Sequence, residues 1–291
     1  MTRLVVNFVM TSLLLIQAAG LIPTELKVET LRWEATRASF VAFNANVVRT
    51  GRMIEAPAFA AITADAHRLA AHRVCGGEPT AKRLNRIPNL GQKMEAIIAD
   101  QLNRDPDTIR LAMTALLQNL DNFIQHTEQV RPVFESFLSA ILIQAWTSLE
   151  VLFRQLLRET IGRHPLCFTF LTAEELSKNR SGNFQRLETM RRAYDATFNK
   201  ETTVSNRVNE QCVDGLYFVR NLLVHRAGIV DATFKTECGL KDFTAWAALP
   251  EGSNFPATGE VVRSLVGPNM NCGYSLLQAV DQWLTKHQDL I

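Results

Sequence analysis

One stretch of this chain limits the possible folds more than any other. From about Pro132 to Thr160, Phe134, Phe137, Leu138, Ile141, Leu142, Ala145, Leu149, Leu152 and Leu156 recur at helical spacing. A second set, Ile143, Trp146, Phe153 and Leu157, covers the flank of the same helix. A helix that is apolar on most of its sides has to be surrounded, so it belongs in the middle of a helical bundle. The 291 residues include 47% apolar and 21% charged residues, which is enough to bury such a core and excludes disorder as the dominant state. The formal net charge is +2. A whole-molecule basic field is therefore excluded, and any contact with nucleic acid must come from a local patch.

The rest of the chain reads as mostly helix. Helical patterns run from Thr24 to about Arg49 and from about Ala58 to Val74. The clearest break is Cys75 to Gly91, with Gly76-Gly77, Pro79 and Pro88. Asp105-Pro106-Asp107 has the form of a helix start, leading into a pattern that ends near Phe123. Thr172-Ala-Glu-Glu is an N-cap signature, and Thr203 to Ala227 reads as one helix. Residues 232–270 look loop-like, and Gly259-Glu-Val-Val-Arg-Ser-Leu-Val suggests a short strand. Ser275 to Leu290 closes the chain as an amphipathic helix. The fold class expected is all-α, with a small β or loop excursion near 234–270. Three segments follow: an apolar one at 1–23, a helical region of unread role at 24–125, and a helical domain at 130–289.

Cys75, Cys167, Cys212, Cys238 and Cys272 are odd in number and widely spaced, with no C-x-x-C pair. That pattern fits free thiols in a reducing compartment, and hence a cytoplasmic protein. Leu4 to Ile22 is uncharged and of the minimum length for a membrane span, which keeps a membrane-tethered alternative open. No zincin motif, no metal-spaced Asp/Glu/His cluster and no phosphate-binding glycine loop is present, so neither metal nor cofactor is expected.

The chemistry concentrates near Cys212–Ala227. At 100° per residue, Val213, Leu216, Tyr217, Leu223, Val224 and Ala227 share an apolar stripe, with Arg220 in its middle. A second face gathers Asp214, Asn221 and His225, and Gly228 follows as a helix stop. A guanidinium inside an apolar stripe must be paired or must face another polar surface. Residues 177–192 supply a basic segment, with Lys178, Arg180, Arg186, Arg191 and Arg192, and Phe184 available for base stacking.

Arg220-Asn-Leu-Leu-Val-His225, continuing into Gly228-Ile-Val-Asp231, resembles the signature of the HEPN superfamily (higher eukaryotes and prokaryotes nucleotide-binding domains). Trp146-Thr-Ser-Leu-Glu150-Val-Leu-Phe-Arg-Gln-Leu-Leu157 resembles the central helix of that family, which often carries a buried acid. The resemblance spans about Arg131 to Gln288. It implies a metal-independent endoribonuclease acting on single-stranded RNA, working as a homodimer with a composite cleft, in a toxin or antiviral defence setting. An antitoxin or defence-system partner would go with that role. It also implies catalytic roles for Arg220, Asn221 and His225, with Glu150 and Asp214 in support. The residue types suit the reaction. A His titrates in the range a general base needs to deprotonate a 2′-hydroxyl, and an Arg presents fixed donors to a phosphorane. The alternative is a non-catalytic HEPN scaffold or an RNA- or nucleotide-binding module that acts with a partner protein.

Overall fold

The computed structural model describes residues 27–102, 124, 127–181 and 186–288. Among them the chain is helical, with no named strand and one isolated β-bridge, Ile229 to Asn254. The expected all-α class is correct. The apolar segment Leu4–Ile22 and the predicted helix from Asp105 to Phe123 lie outside the described residues. Contacts divide the chain into two compact units, one holding residues 53–134 and the other residues 27–52 and 135–288 among those described.

In the first unit, α1 (Glu34–Cys75) contributes its second half, followed by α2 (Ala81–Leu84) and α3 (Leu90–Leu102). The two helices read from the sequence at 24–49 and 58–74 are a single helix that begins at Glu34 and runs through Pro57. Its end is where the glycines predict it. Gly76 takes φ +62°, a left-handed conformation that glycine adopts at little cost, and Gly77 N–H returns to the His72 carbonyl at 3.1 Å. Thr80 then caps α2 by accepting from Arg83 N–H at 3.3 Å.

The second unit is built around α4 (Arg131–Arg163), as its sequence requires. Leu138, Ile141, Leu142, Ala145, Leu149, Leu152, Phe153, Leu156 and Leu157 are all buried. Among the described helices α4 is long and apolar enough to cross a membrane, and 50% of its most apolar window is buried inside the fold. Then come α5 (Ala173–Ser181), α6 (Leu187–Thr197), α7 (Thr202–Val208), α8 (Gln211–His225), α9 (Ala232–Leu240), α10 (Thr244–Ala247) and α11 (Gly259–Lys286). Thr172 and Glu175 form a reciprocal cap at the start of α5: Glu175 N–H donates to Thr172 Oγ1, and Thr172 N–H to Glu175 Oε2. The Tyr194 hydroxyl of α6 donates to the Phe153 carbonyl of α4 at 2.9 Å.

Helix α11 approaches closely. A Cβ on Gly273 would overlap the Phe43 ring and come 3.0 Å from Leu152, so only glycine lets α1, α4 and α11 meet there. The Tyr274 hydroxyl donates to Asn44 Oδ1 at 2.7 Å beside that crossing. At the start of α1, the buried Asp281 carboxylate of α11 accepts from Arg32 N–H, Trp33 N–H and the Thr36 hydroxyl at 2.6–3.1 Å. It caps, from the other end of the sequence, a helix whose own flanking residues lack a capping side chain there.

Three sequence expectations need correction. The β or loop excursion near 234–270 is helical in large part, with α9 and α10 inside it. Phe234, Phe243, Trp246 and Phe255 pack ring to ring at 4.8–6.2 Å with Phe218, so this segment has a core of its own. The expected strand at 259–266 is the first part of α11. Thr258 caps it by accepting from Val261 N–H, and the buried Val262, Leu265, Val266 and Met270 follow a helical period that outweighs their β-branched composition. Similarly, Thr203–Ala227 is two helices, because the chain turns at Asn209-Glu210. All five cysteines are free thiols.

Candidate functional site

Helix α8 carries the candidate residues, and its buried face differs from the one predicted. Val213, Gly215, Leu216, Phe218, Val219 and Leu222 are buried, whereas Val224 is 45% exposed and Ala227 lies beyond the helix. The inward face is thus turned away from the stripe centred on Arg220. Arg220 and Asn221 are left half-buried and His225 exposed, so they reach water without crossing the core.

The helix ends in a wrapped turn. Ala227 and Gly228 both take left-handed backbone, and Gly228 N–H returns to the Leu222 carbonyl at 3.1 Å. The turn is then fastened to a second loop by Val230 N–H to Ser253 O, Gly252 N–H to Val230 O and Phe255 N–H to Gly228 O, all at 2.8–2.9 Å. Asp231 finishes the segment in two ways. Its Oδ1 caps α9 through Phe234 N–H at 2.8 Å, and its Oδ2 pairs with Arg226 Nε at 3.0 Å. Each residue of Gly228-Ile-Val-Asp231 therefore helps hold the end of α8 in place.

At that end, Arg220 Nη1 donates to Asn221 Oδ1 at 2.9 Å and lies 3.2 Å from His225 Nε2. A guanidinium can only donate, so the second contact is a hydrogen bond when Nε2 is unprotonated. Arg220 Nε is buried with no partner among the described groups. The three side chains face a pocket of about 360 Å³, also lined by Trp146 and Glu150 of α4, Arg186 beside α6, Tyr217 of α8, and Asp231 and Glu237. Trp146 and Tyr217 stand 5.1 Å apart, ring centre to ring centre, and form its aromatic wall.

The predicted supporting residues part company. Glu150 lines the pocket but is held by Trp146 Nε1 at 3.0 Å and Arg154 Nη2 at 2.5 Å rather than by Arg220. Asp214 is buried away from the pocket, where it binds Arg191 Nη1 at 2.7 Å and Lys241 Nζ at 3.3 Å. The basic segment is also divided. Arg191 is tied up with Asp214 and the Val208 carbonyl, Arg192 pairs with Glu188, and Lys178 and Arg180 are exposed on α5. Arg186 alone of the five lines the pocket, and Phe184 lies outside the described residues. Arg186 and Arg220 form no ion pair with any described residue. Once Arg226 is matched by Asp231 and Glu150 by Arg154, they are the pocket's available cations.

Sequence reasoning did not single out Tyr217 or Glu237 for this site. Glu237 was hidden because 232–240 reads as loop. Had α9 been recognised from the Asp231 cap, Thr233, Phe234 and Glu237 would have fallen on one face of a helix that follows the motif directly. Among the described residues, no group of three His, Cys, Asp or Glu side chains is placed to hold a metal ion. No protein-family model matches this chain, and no curated protein or solved structure does either.

Proposed function

We propose that this chain is a metal-independent endoribonuclease that cleaves single-stranded RNA at Arg220, Asn221 and His225. The observation that carries this reading is the 3.2 Å contact of Arg220 Nη1 with His225 Nε2, in a pocket where Arg186 and Arg220 have no ion-pair partner among the described residues. With Nε2 unprotonated, the guanidinium occupies the imidazole lone pair in the resting site. The bond from Arg220 to the imidazole is ionised on the donor side alone, whereas a phosphodiester is an anion and competes for the guanidinium with bonds ionised on both sides. Drawing Arg220 onto the phosphate frees Nε2, and the freed base takes the proton of the 2′-hydroxyl. Arg220, now on the phosphate, meets the negative charge that builds as the 2′-oxygen attacks phosphorus. Asn221 Oδ1 holds the guanidinium in register for both positions. Tyr217 and Trp146 offer a stacking surface for an unpaired base, which suits single-stranded RNA.

The resemblance of the motif to the HEPN superfamily supports the same reading. It extends to a second copy of the chain as partner and to a toxin or defence role. A binding module without turnover is the second reading, favoured by the engagement of His225 Nε2 in the resting site.

Cleavage of labelled single-stranded RNA in EDTA, by the wild type beside His225→Ala and Arg220→Ala, tests the proposal. The expected result is a 2′,3′-cyclic phosphate product from the wild type, with cleavage lost in both variants. RNA binding by all three proteins with cleavage by none would establish the second reading instead. Cleavage unchanged in both variants would overturn the assignment of the site.

A further inference from the structure

Cleavage by this route needs two proton transfers, and the residues assigned so far perform one of them. As the 2′-oxygen attacks, the P–O5′ bond breaks, and the departing oxygen needs a proton. A guanidinium is not a usable proton donor to a leaving group, so Arg220 does not fill this role. Asn221 is not an acid, and His225 is engaged as the base.

The pocket holds three carboxyl groups. Glu150 accepts from Trp146 Nε1 and from Arg154, so both of its oxygens are already engaged. Asp231 accepts the α9 cap bond through Oδ1 and pairs with Arg226 through Oδ2, so its oxygens are engaged as well. Glu237 differs from both. It lines the same pocket from α9 and makes no hydrogen bond or ion pair with any described residue. Burial, and then the neighbouring Asp231, push its carboxyl above the usual range. An incoming phosphate adds a further negative charge and favours the protonated form still more. Arg186, Arg220 and Arg226 also line the pocket, and an RNA phosphate neutralises part of their field.

We infer that Glu237 is the general acid of this site, donating its proton to the 5′-oxygen as His225 accepts the proton of the 2′-hydroxyl. The step balances. His225 gains the 2′ proton, phosphorus exchanges its bond to O5′ for one to O2′, and Glu237 loses its proton to the leaving oxygen. The products are a 2′,3′-cyclic phosphate and a 5′-hydroxyl, and proton exchange with water restores both side chains. This inference rests on the nuclease reading above.

The test compares wild type, Glu237→Gln and His225→Ala on two RNAs of one sequence. One carries the ordinary 5′-oxygen at the scissile bond and the other a 5′-sulfur, whose thiolate leaves without protonation. Glu237→Gln is expected to slow the all-oxygen substrate by about 10²-fold or more and to match the wild type on the sulfur substrate to within about threefold. His225→Ala is expected to be slow on both. A wild type that cleaves both substrates, with Glu237→Gln equally slowed on each or slowed on neither, overturns the role of Glu237 and leaves the nuclease reading standing. A wild type that cleaves neither overturns the nuclease reading and this inference together.

Discussion

Helix α8 carries a charged group near each end, and the two are treated in opposite ways. Near its start, Asp214 is 4% exposed and surrounded by Arg191 and Lys241. Toward its end, Arg220 and His225 face a pocket and are bonded to each other and to Asn221 rather than to an acid. A buried charge whose partners are all supplied belongs to the architecture, because removing either member strands the other in low dielectric. Charged and titratable groups that are half-exposed, and matched only by one another, retain capacity for a ligand. The contrast separates residues that the sequence pattern had grouped together, since Asp214, Asn221 and His225 were placed on one face.

Substitutions at the two ends should therefore fail in different ways. The largest effect expected is on rate. His225→Ala should lower RNA cleavage by about 10²–10⁴-fold, yet shift unfolding in urea by no more than about 0.5 kcal/mol, because the ring is exposed. Asp214→Ala should do the reverse. It leaves Arg191, 12% exposed, without its counter-charge, and urea denaturation should show a loss of about 3–5 kcal/mol. Cleavage per folded molecule should be retained. If the two variants lose stability equally, the division between the ends of α8 fails.

Gly215→Ala sharpens the comparison one residue along. The new methyl would lie 2.8 Å from the Phe243 ring and 3.1 Å from Leu265, so overpacking should cost about 1–3 kcal/mol by thermal or urea unfolding. His164 is the third case, a buried polar side chain with no hydrogen-bond partner among the described residues. It is 9% exposed, neither ring nitrogen has a hydrogen bond among the described residues, and it meets Trp33 edge-on. Burial, and then Arg163, hold its pKa below the ordinary 6.5. The unfolded chain takes up that proton first, so stability falls as pH drops through 6.5 toward the lower folded value. His164→Phe should flatten the acid side of a plot of Tm against pH, by the smallest effect of the four. An unchanged slope would mean that the ring takes up its proton equally in the folded and unfolded chain.

Much of this was legible in the sequence, for reasons particular to each element. The apolar period of α4 was unambiguous because its residues repeat on nearly every side over 33 positions. The Gly76-Gly77 stop of α1 and the Thr172 cap of α5 were legible because the conformations they allow are local properties of those residues. Helical spacing alone places Asn221 beside His225 but sets Arg220 in the apolar stripe, and it is the length of the Arg220 side chain that brings it to them. The buried face of α8 was not legible, because Tyr217 and Val224 count as apolar in any periodicity although one lines a pocket and the other faces water. Segment 232–258 misled for a related reason. Its aromatic residues form a cluster only after the chain has folded back on itself, so no short window reveals it.

The Asp281 cap on the start of α1 has a consequence for biosynthesis. The bond joins residues 249 positions apart in sequence. On a ribosome adding 5–20 residues per second, the first turn of α1 exists for roughly ten to fifty seconds before its cap is made. During that interval the Phe40 and Phe43 side chains, buried in the finished protein, have no α11 to cover them. The long α1 is thus a waiting partner, and folding of its unit is timed by the arrival of α11.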